Sequence, residues 1–272
     1  MTDILERLRA INPDHGQLVL LRDGAIQWAV FNRPHARNAL TWAMYEQLVE
    51  VCEEVNADSS IRAMVLSGAG GAFAAGTDIA QFRAFNAPQD AIDYEARGSA
   101  VMDVLESVRV PVIAALAGPC TGAGAVIAAC CDLRLAAPSV RYGVPIARTL
   151  GNCLSLRACA RLVGALGLGL VKDMLLTARL LEAPELLQRG FIRSVVPADG
   201  DLWPAASILA AEVAANAPLT LRVSKASLRL IRDRLVPEGP DDDLILTCYL
   251  SHDFHEGVDA FLAKRPPSWQ GE

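Results

Sequence analysis

The first regular pattern lies at residues 17–22 and 26–31. These are two β-rich runs joined across Asp23-Gly24, a dipeptide that favours a hairpin turn. Thr41 reads as the N-cap of a helix to about residue 56, with Leu48, Val51, Cys52 and Val55 on one face. Residues 61–67 read as a strand. Residues 68–76 are rich in Gly and Ala, and a short helix starts near Thr77-Asp78. A longer helix spans residues 88–108. A strand at 112–116, a turn at 118–124 and a small-residue helix to Cys131 follow, then strands at 133–136 and 140–142. Beyond about residue 155 the pattern is mostly helical, broken at residues 164–169, Pro184, Gly190 and Pro197. Residues 217–235 form an amphipathic helix opened by Pro218, and residues 236–243 read as a linker before the last helices. Strands and helices alternate first and helices dominate later, which predicts an α/β fold with a helical C-terminal part.

One stretch, from Val110 to Cys131, carries no charge and is long enough to span a bilayer. Pro111, Gly118, Pro119, Gly122 and Gly124 cut it into strand, turn and helix, so it reads as the buried centre of the fold. Apolar residues make up 52% of the 272 positions and charged residues 21%, enough to bury a core. The net charge of −6, with no basic run, argues against nucleic-acid binding. Seven cysteines form no C-x-x-C pair and read as reduced thiols of a cytoplasmic protein. The charged N-terminus lacks the apolar segment of a signal peptide.

Several motifs fail. Gly68 and Gly70 are followed by Phe73, and Gly122 and Gly124 by Ile127, so neither turn completes a dinucleotide fingerprint. There is no P-loop and no esterase elbow. Four histidines without H-E-x-x-H predict no metal site, and His252 and His255 read as polar surface at a helix start.

Two segments share one plan: an apolar strand, a Gly-rich turn and a helix start. The first runs from Met64 to Ile79, the second from Val112 to Val126. Such turns present backbone N–H groups at the positive end of a helix, and two converging turns make an oxyanion hole. Either turn alone also fits tight packing.

Five stretches carry a resemblance: Asn32-Arg-Pro-His-Ala-Arg-Asn-Ala-Leu40, Ala72-Phe-Ala-Ala-Gly-Thr-Asp-Ile79, residues 118–132, Tyr142-Gly-Val-Pro145, and Asp253-Phe-His-Glu-Gly257 with Ala260-Phe-Leu-Ala-Lys-Arg265. In order and spacing they resemble the enoyl-CoA hydratase/isomerase (crotonase) superfamily over nearly the whole chain. The resemblance implies a crotonase-like spiral of ββα units over residues 1–200 and a helical trimerisation region over residues 201–272. It also implies a trimer or dimer of trimers, no membrane or nucleic-acid partner, and an acyl-CoA thioester ligand. Coenzyme A would enter as part of the substrate, with no covalently bound cofactor. Carried onto matching positions, the oxyanion hole is the backbone N–H of Thr77 and of Ala123. Ala123 stands where the family has glycine, and a positive φ there would cost about 1 kcal/mol or more. Ala72, Phe73, Ala75 and Ile79 would wall the pantetheine arm and nucleotide. Arg37 would meet the nucleotide end of CoA, and Lys264, from this chain or a neighbouring subunit, its phosphates.

Hydratases of the family use two glutamates, and aligned without gaps those positions hold Val126 and Ile146. Neither side chain activates water or protonates Cα, so the two-glutamate mechanism is not expected. Three readings stay open: enolate chemistry such as decarboxylation of a malonyl-type thioester, a displaced acid/base, or a catalytically silent CoA-ester-binding paralogue. Asp78, Tyr142, Arg148, Asn152 and Cys153 are the candidates for the second. Three of them also have a plain structural reading, Asn152 as a helix cap, Cys153 as a packing residue and Asp78 as a turn or cap residue. A hydrolase on the same scaffold would need a Ser/His pair by the Gly-rich turns, where no histidine lies.

Overall fold

Residues 2–12, 17–85, 87–197, 200–234 and 241–272 are described by the computed structural model. The elements are α1 (Thr2–Arg9), β1 (Gln17–Asp23), β2 (Ile26–Asn32), α2 (Trp42–Ala57), β3 (Ala63–Gly68), α3 (Pro88–Ser107), β4 (Val112–Leu116), β5 (Pro119–Thr121) and α4 (Ala123–Cys130). They continue as β6 (Leu133–Ala136), β7 (Arg141–Gly143), α5 (Ile146–Thr149), α6 (Leu156–Leu166), α7 (Leu168–Thr177), β8 (Leu181–Glu182), α8 (Ala183–Gln188) and β9 (Ser194–Val195). The chain ends in α9 (Leu202–Ala214), α10 (Pro218–Asp233), α11 (Asp242–Tyr249) and α12 (His252–Leu262). Short 3₁₀ turns occupy Pro34–Ala36 and Ile79–Ala84.

A six-stranded sheet runs β1-β2-β3-β4-β6-β9, antiparallel only between β1 and β2. Every residue of β3 and β4 is buried, because helices cover both faces. Alternation along each strand sorts the side chains. Ala29, Phe31, Met64, Leu66, Val112 and Ala114 face Met44, Leu48 and Val51 of α2, while Trp28, Val30, Val65 and Ile113 face Ile4 and Leu8 of α1 and Leu209 and Ala210 of α9.

After β2, β3, β4 and β6 the chain enters a second, smaller layer before returning through helices. That layer holds β5, β7 and β8 and two isolated parallel bridges, Leu40 with Thr77 and Ala74 with Cys120. The winding lays successive loops side by side, and that is what positions the site. The uncharged stretch 110–131 lies at the centre as β4, β5 and α4, and no helix among the described residues is long and apolar enough to cross a membrane.

Three details differ from the sequence expectation. The turn at 118–124 contains β5, paired parallel to β7. The C-terminal third contributes β8 and β9, the latter extending the main sheet beside β6. The N-terminus forms α1, whose Ile4 and Leu8 are buried despite the charges around them. The expected linker lies outside the described residues as far as position 240.

Candidate active site

The two Gly-rich turns meet. Thr121 donates its N–H to Ala74 O at 3.0 Å, so residues 74–77 run beside 120–123. Gly76, at φ +99°, is the contact point: a Cβ there would sit 3.4 Å from Thr121 O and 3.9 Å from Ala123 N. Gly124 is equally constrained, since a Cβ on it would fall 2.2 Å from Ala74 O. Gly122 holds its place by donating to Gly143 O at 2.9 Å.

In the bridge to Leu40, Gly76 O accepts from Leu40 N–H at 2.8 Å and Asp78 N–H donates to Leu40 O at 2.9 Å. Strand geometry then turns the N–H of Thr77, between them, to the opposite side. Ala123 is the first residue of α4, so its N–H has no intrahelical acceptor. Neither N–H has a protein acceptor among the described residues, and both residues line a cavity of about 550 Å³. Positive φ falls on Gly122 (55°), so the strain expected at Ala123 does not arise.

The same cavity is lined by Arg37, Ala75, Asp78, Ile79, Val126, Ile146, Asn152 and Lys264. Arg37 (φ 51°) and Lys264 (φ 54°) adopt left-handed backbone, each just past the end of a short helical element. Arg37 O accepts from Ala75 N–H at 3.0 Å, and Asn38, buried in the same loop, donates to Ala69 O (2.9 Å) and Ala72 O (2.7 Å). These bonds fix the basic loop over the first turn. Lys264 reaches the cavity from its own chain.

The structure corrects several placements. Ala72 and Phe73 are not cavity wall. Both are buried beneath it, where Phe73 packs edge-on against Phe31 and its N–H bonds Ala117 O at 2.8 Å. Tyr142 is fully buried, its hydroxyl bonded to Ala125 O at 2.9 Å, and takes no part in the cavity. Arg148 is exposed outside the cavity. Cys153 lines it, but burial pushes its thiol up, which makes a poor nucleophile. Asp78 caps the following 3₁₀ turn through Ala80 N–H and pairs with Arg33 at 2.8 Å. Ser155, not Asn152, caps α6, while Asn152 donates to the Tyr249 hydroxyl at 3.1 Å.

A further group went unread in the sequence. Thr77 Oγ1 bonds both the Tyr45 hydroxyl (2.8 Å) and the Tyr94 hydroxyl (2.9 Å), and burial raises both phenols. Next to Tyr94 on α3, Glu95 lines the cavity. Its Oε1 accepts from the Tyr249 hydroxyl at 2.7 Å and its Oε2 from Ser155 N–H at 3.3 Å. Burial raises this carboxyl above its ordinary value, against those two hydrogen bonds, which favour the ionised form. The available signal was an acid on the α3 stripe formed by Glu95, Gly98, Ser99 and Met102, at helical spacing.

Parallel β-strands wound into two layers, with paired N–H-bearing turns over a cavity, define a class of α/β enzyme scaffold. The chain belongs to the enoyl-CoA hydratase/isomerase family, whose model matches residues 22–272. It is 32% identical over 257 residues to the 2,3-dehydroadipyl-CoA hydratase of Escherichia coli (strain K12), covering 94% of this chain and 99% of that one. A solved enoyl-CoA hydratase/carnithine racemase from Magnetospirillum magneticum superposes with a TM-score of 0.75 at 34% identity, covering 94% of this chain and 96% of that one. A methylmalonyl-CoA decarboxylase structure superposes with a TM-score of 0.85 at 23% identity, covering 94% and 98% of the respective chains, and shares the fold.

Proposed function

We propose that this protein acts on an acyl-CoA thioester by stabilising its enolate, with the N–H groups of Thr77 and Ala123 as oxyanion donors. The observation that carries this reading is the convergence of two unpartnered amides at one cavity. Enolate formation moves negative charge onto the thioester oxygen. Amides fixed by a strand bridge and a helix start bind that charge without reorganising, and each such donor is worth about 10²–10³ in rate. The basic residues Arg37 and Lys264 at the cavity support phosphate contacts to coenzyme A, which enters as part of the substrate.

Val126 and Ile146, at the positions the resemblance gives to glutamates, set the chemistry apart from two-glutamate hydration. Both are apolar and both face the cavity, so neither moves a proton. Their apolar surface also supports a second reading, decarboxylation of a malonyl-type thioester. Breaking the carboxylate C–C bond releases CO₂ and leaves its electron pair as the enolate, and a dry wall disfavours the bound carboxylate. Self-association as a trimer or dimer of trimers is proposed for α10, where Leu219, Val223 and Leu230 share an exposed face.

The test is a panel of 2-enoyl, 3-enoyl, saturated and malonyl-type CoA thioesters incubated with pure protein in D₂O and read by mass spectrometry. Deuterium gain at Cα or loss of CO₂ supports the reading. Rapid hydration of the 2-enoyl thioester contradicts the argument from Val126 and Ile146. Binding without any change of mass supports a silent paralogue instead.

A further inference from the structure

The cavity holds one carboxyl that is anchored from two elements. Glu95 projects from α3, accepts from the Tyr249 hydroxyl of α11, and accepts from Ser155 N–H at the start of α6. Tyr249 is itself held by Asn152 at 3.1 Å. The preceding residue, Tyr94, bonds the Thr77 side chain at 2.9 Å, and the Tyr94 and Tyr249 rings lie 6.1 Å apart. The carboxyl is therefore on the wall of the cavity that Thr77 also lines, with both oxygens hydrogen-bonded and the residue partly exposed.

From this geometry we infer that Glu95 is the proton-transfer group of the cavity, standing in for the carboxyls missing at 126 and 146. This rests on the acyl-CoA reading above. In the forward step the Glu95 carboxylate takes a proton from the acyl chain. The C–H bond breaks, an O–H bond forms, and the C–H electron pair becomes the enolate, its charge on the oxygen held by Thr77 and Ala123. In the return step the carboxylic acid gives a proton back to an acyl carbon and the thioester carbonyl re-forms. The same return step quenches an enolate left by loss of CO₂. No co-reactant is needed.

Both protonation states must be accessible, and the surroundings favour this. Burial disfavours the charge, as does Asp241 ahead of α11, while the Tyr249 and Ser155 hydrogen bonds favour it. Tyr45 of α2, Tyr94 of α3, Cys153 before α6, Cys159 on α6 and Tyr249 also face this carboxyl, and all five are raised by burial.

The experiment follows deuterium at the acyl carbons of a saturated and a 3-enoyl CoA thioester in D₂O, with thioester binding measured by calorimetry. Glu95→Gln is expected to lower exchange about 10²–10⁴-fold, the usual worth of a positioned acid/base, with affinity within about threefold. Tyr249→Phe removes a hydrogen bond to the ionised form, so the pH at which exchange switches on is expected to move upward with binding retained. Exchange by Glu95→Gln within about threefold of the unaltered protein overturns the assignment. So does an unchanged pH step in Tyr249→Phe, which decides the matter if Glu95→Gln does not fold. Exchange lost in Ala123→Pro but kept in Glu95→Gln rejects Glu95 alone. An unaltered protein that binds no thioester rejects the acyl-CoA reading and this one with it.

Discussion

Replacing Ala123 by proline deletes one amide N–H and little else. Ala123 is the first residue of α4, a position where proline is favoured because its N–H would have no helical acceptor. No backbone hydrogen bond is lost, since this N–H has no acceptor among the described residues. The preceding residue is glycine at φ 55°, ψ −124°. That is the mirror image of the extended conformation required before proline, and glycine adopts either hand. The fold is therefore expected to survive, with a stability change below about 1 kcal/mol. The reaction is not. One oxyanion donor is worth about 10²–10³ in rate, or about 2.7–4 kcal/mol of transition-state stabilisation, and the new ring methylene points where the donor pointed. The assay is turnover of whichever thioester the unaltered protein transforms, with unfolding in urea as the control. A folded Ala123→Pro protein turning over within about threefold of the original refutes the oxyanion assignment.

Four further outcomes follow from the structure. Gly124→Ala places a methyl 2.2 Å from Ala74 O and 2.9 Å from Ala74 C, so backbone must shift; a loss of about 1–3 kcal/mol is expected in urea unfolding, and an unchanged midpoint contradicts the close approach. Glu106 is buried between Arg161 (3.1 Å) and Arg232 (3.0 Å), tying α3 to α6 and α10. Glu106→Gln removes the buried carboxylate that the two cations share, while Arg161 keeps Asp103 and Arg232 keeps Asp233, and is expected to cost about 1–3 kcal/mol, measured by the same unfolding; an unchanged midpoint counts against it. The raised Glu95 carboxyl holds its proton in the folded chain after the unfolded chain has released it, so stability from this group falls as pH rises from about 4.5 through the raised value. Glu95→Gln should remove up to about 1.4 kcal/mol per pH unit of that decline, and an identical stability–pH curve speaks against the burial. Val223→Asp with Leu230→Asp, at exposed positions on α10, is expected to convert an oligomer into monomers by light scattering, and an unchanged mass places the contact elsewhere.

Much of this scaffold was legible because it rests on local signals. The Asp23-Gly24 hairpin, the Thr41 cap, which accepts from Met44 N–H, and the uncharged β4–α4 centre follow from turn chemistry, capping and period. The convergence of Thr77 with Ala123 came from the resemblance, and the parallel winding supplies its physical cause. What stayed hidden depends on partners far away in sequence. β9 is two residues long and exists only because β6 offers it an edge. The resemblance made Ala72 and Phe73 wall, but the chain there bonds to Ala117 and Pro119 and points the ring inward at Phe31. Glu95 is one acid among several on α3 until Tyr249, 154 positions on, is folded against it. Asn152 was the cap offered by the sequence, and only the geometry shows that Ser155 binds Ala158 N–H.

The most direct measurement is the rate at which this protein exchanges the Cα hydrogens of a saturated short-chain acyl-CoA for deuterium in D₂O. A saturated thioester offers no double bond to hydrate and no carboxylate to lose, so exchange reports enolate formation alone. The account predicts Cα deuteration well above the buffer rate, abolished by Ala123→Pro. A folded protein that binds the saturated thioester yet leaves both Cα hydrogens in place, and takes no CO₂ from a malonyl-type thioester, contradicts it.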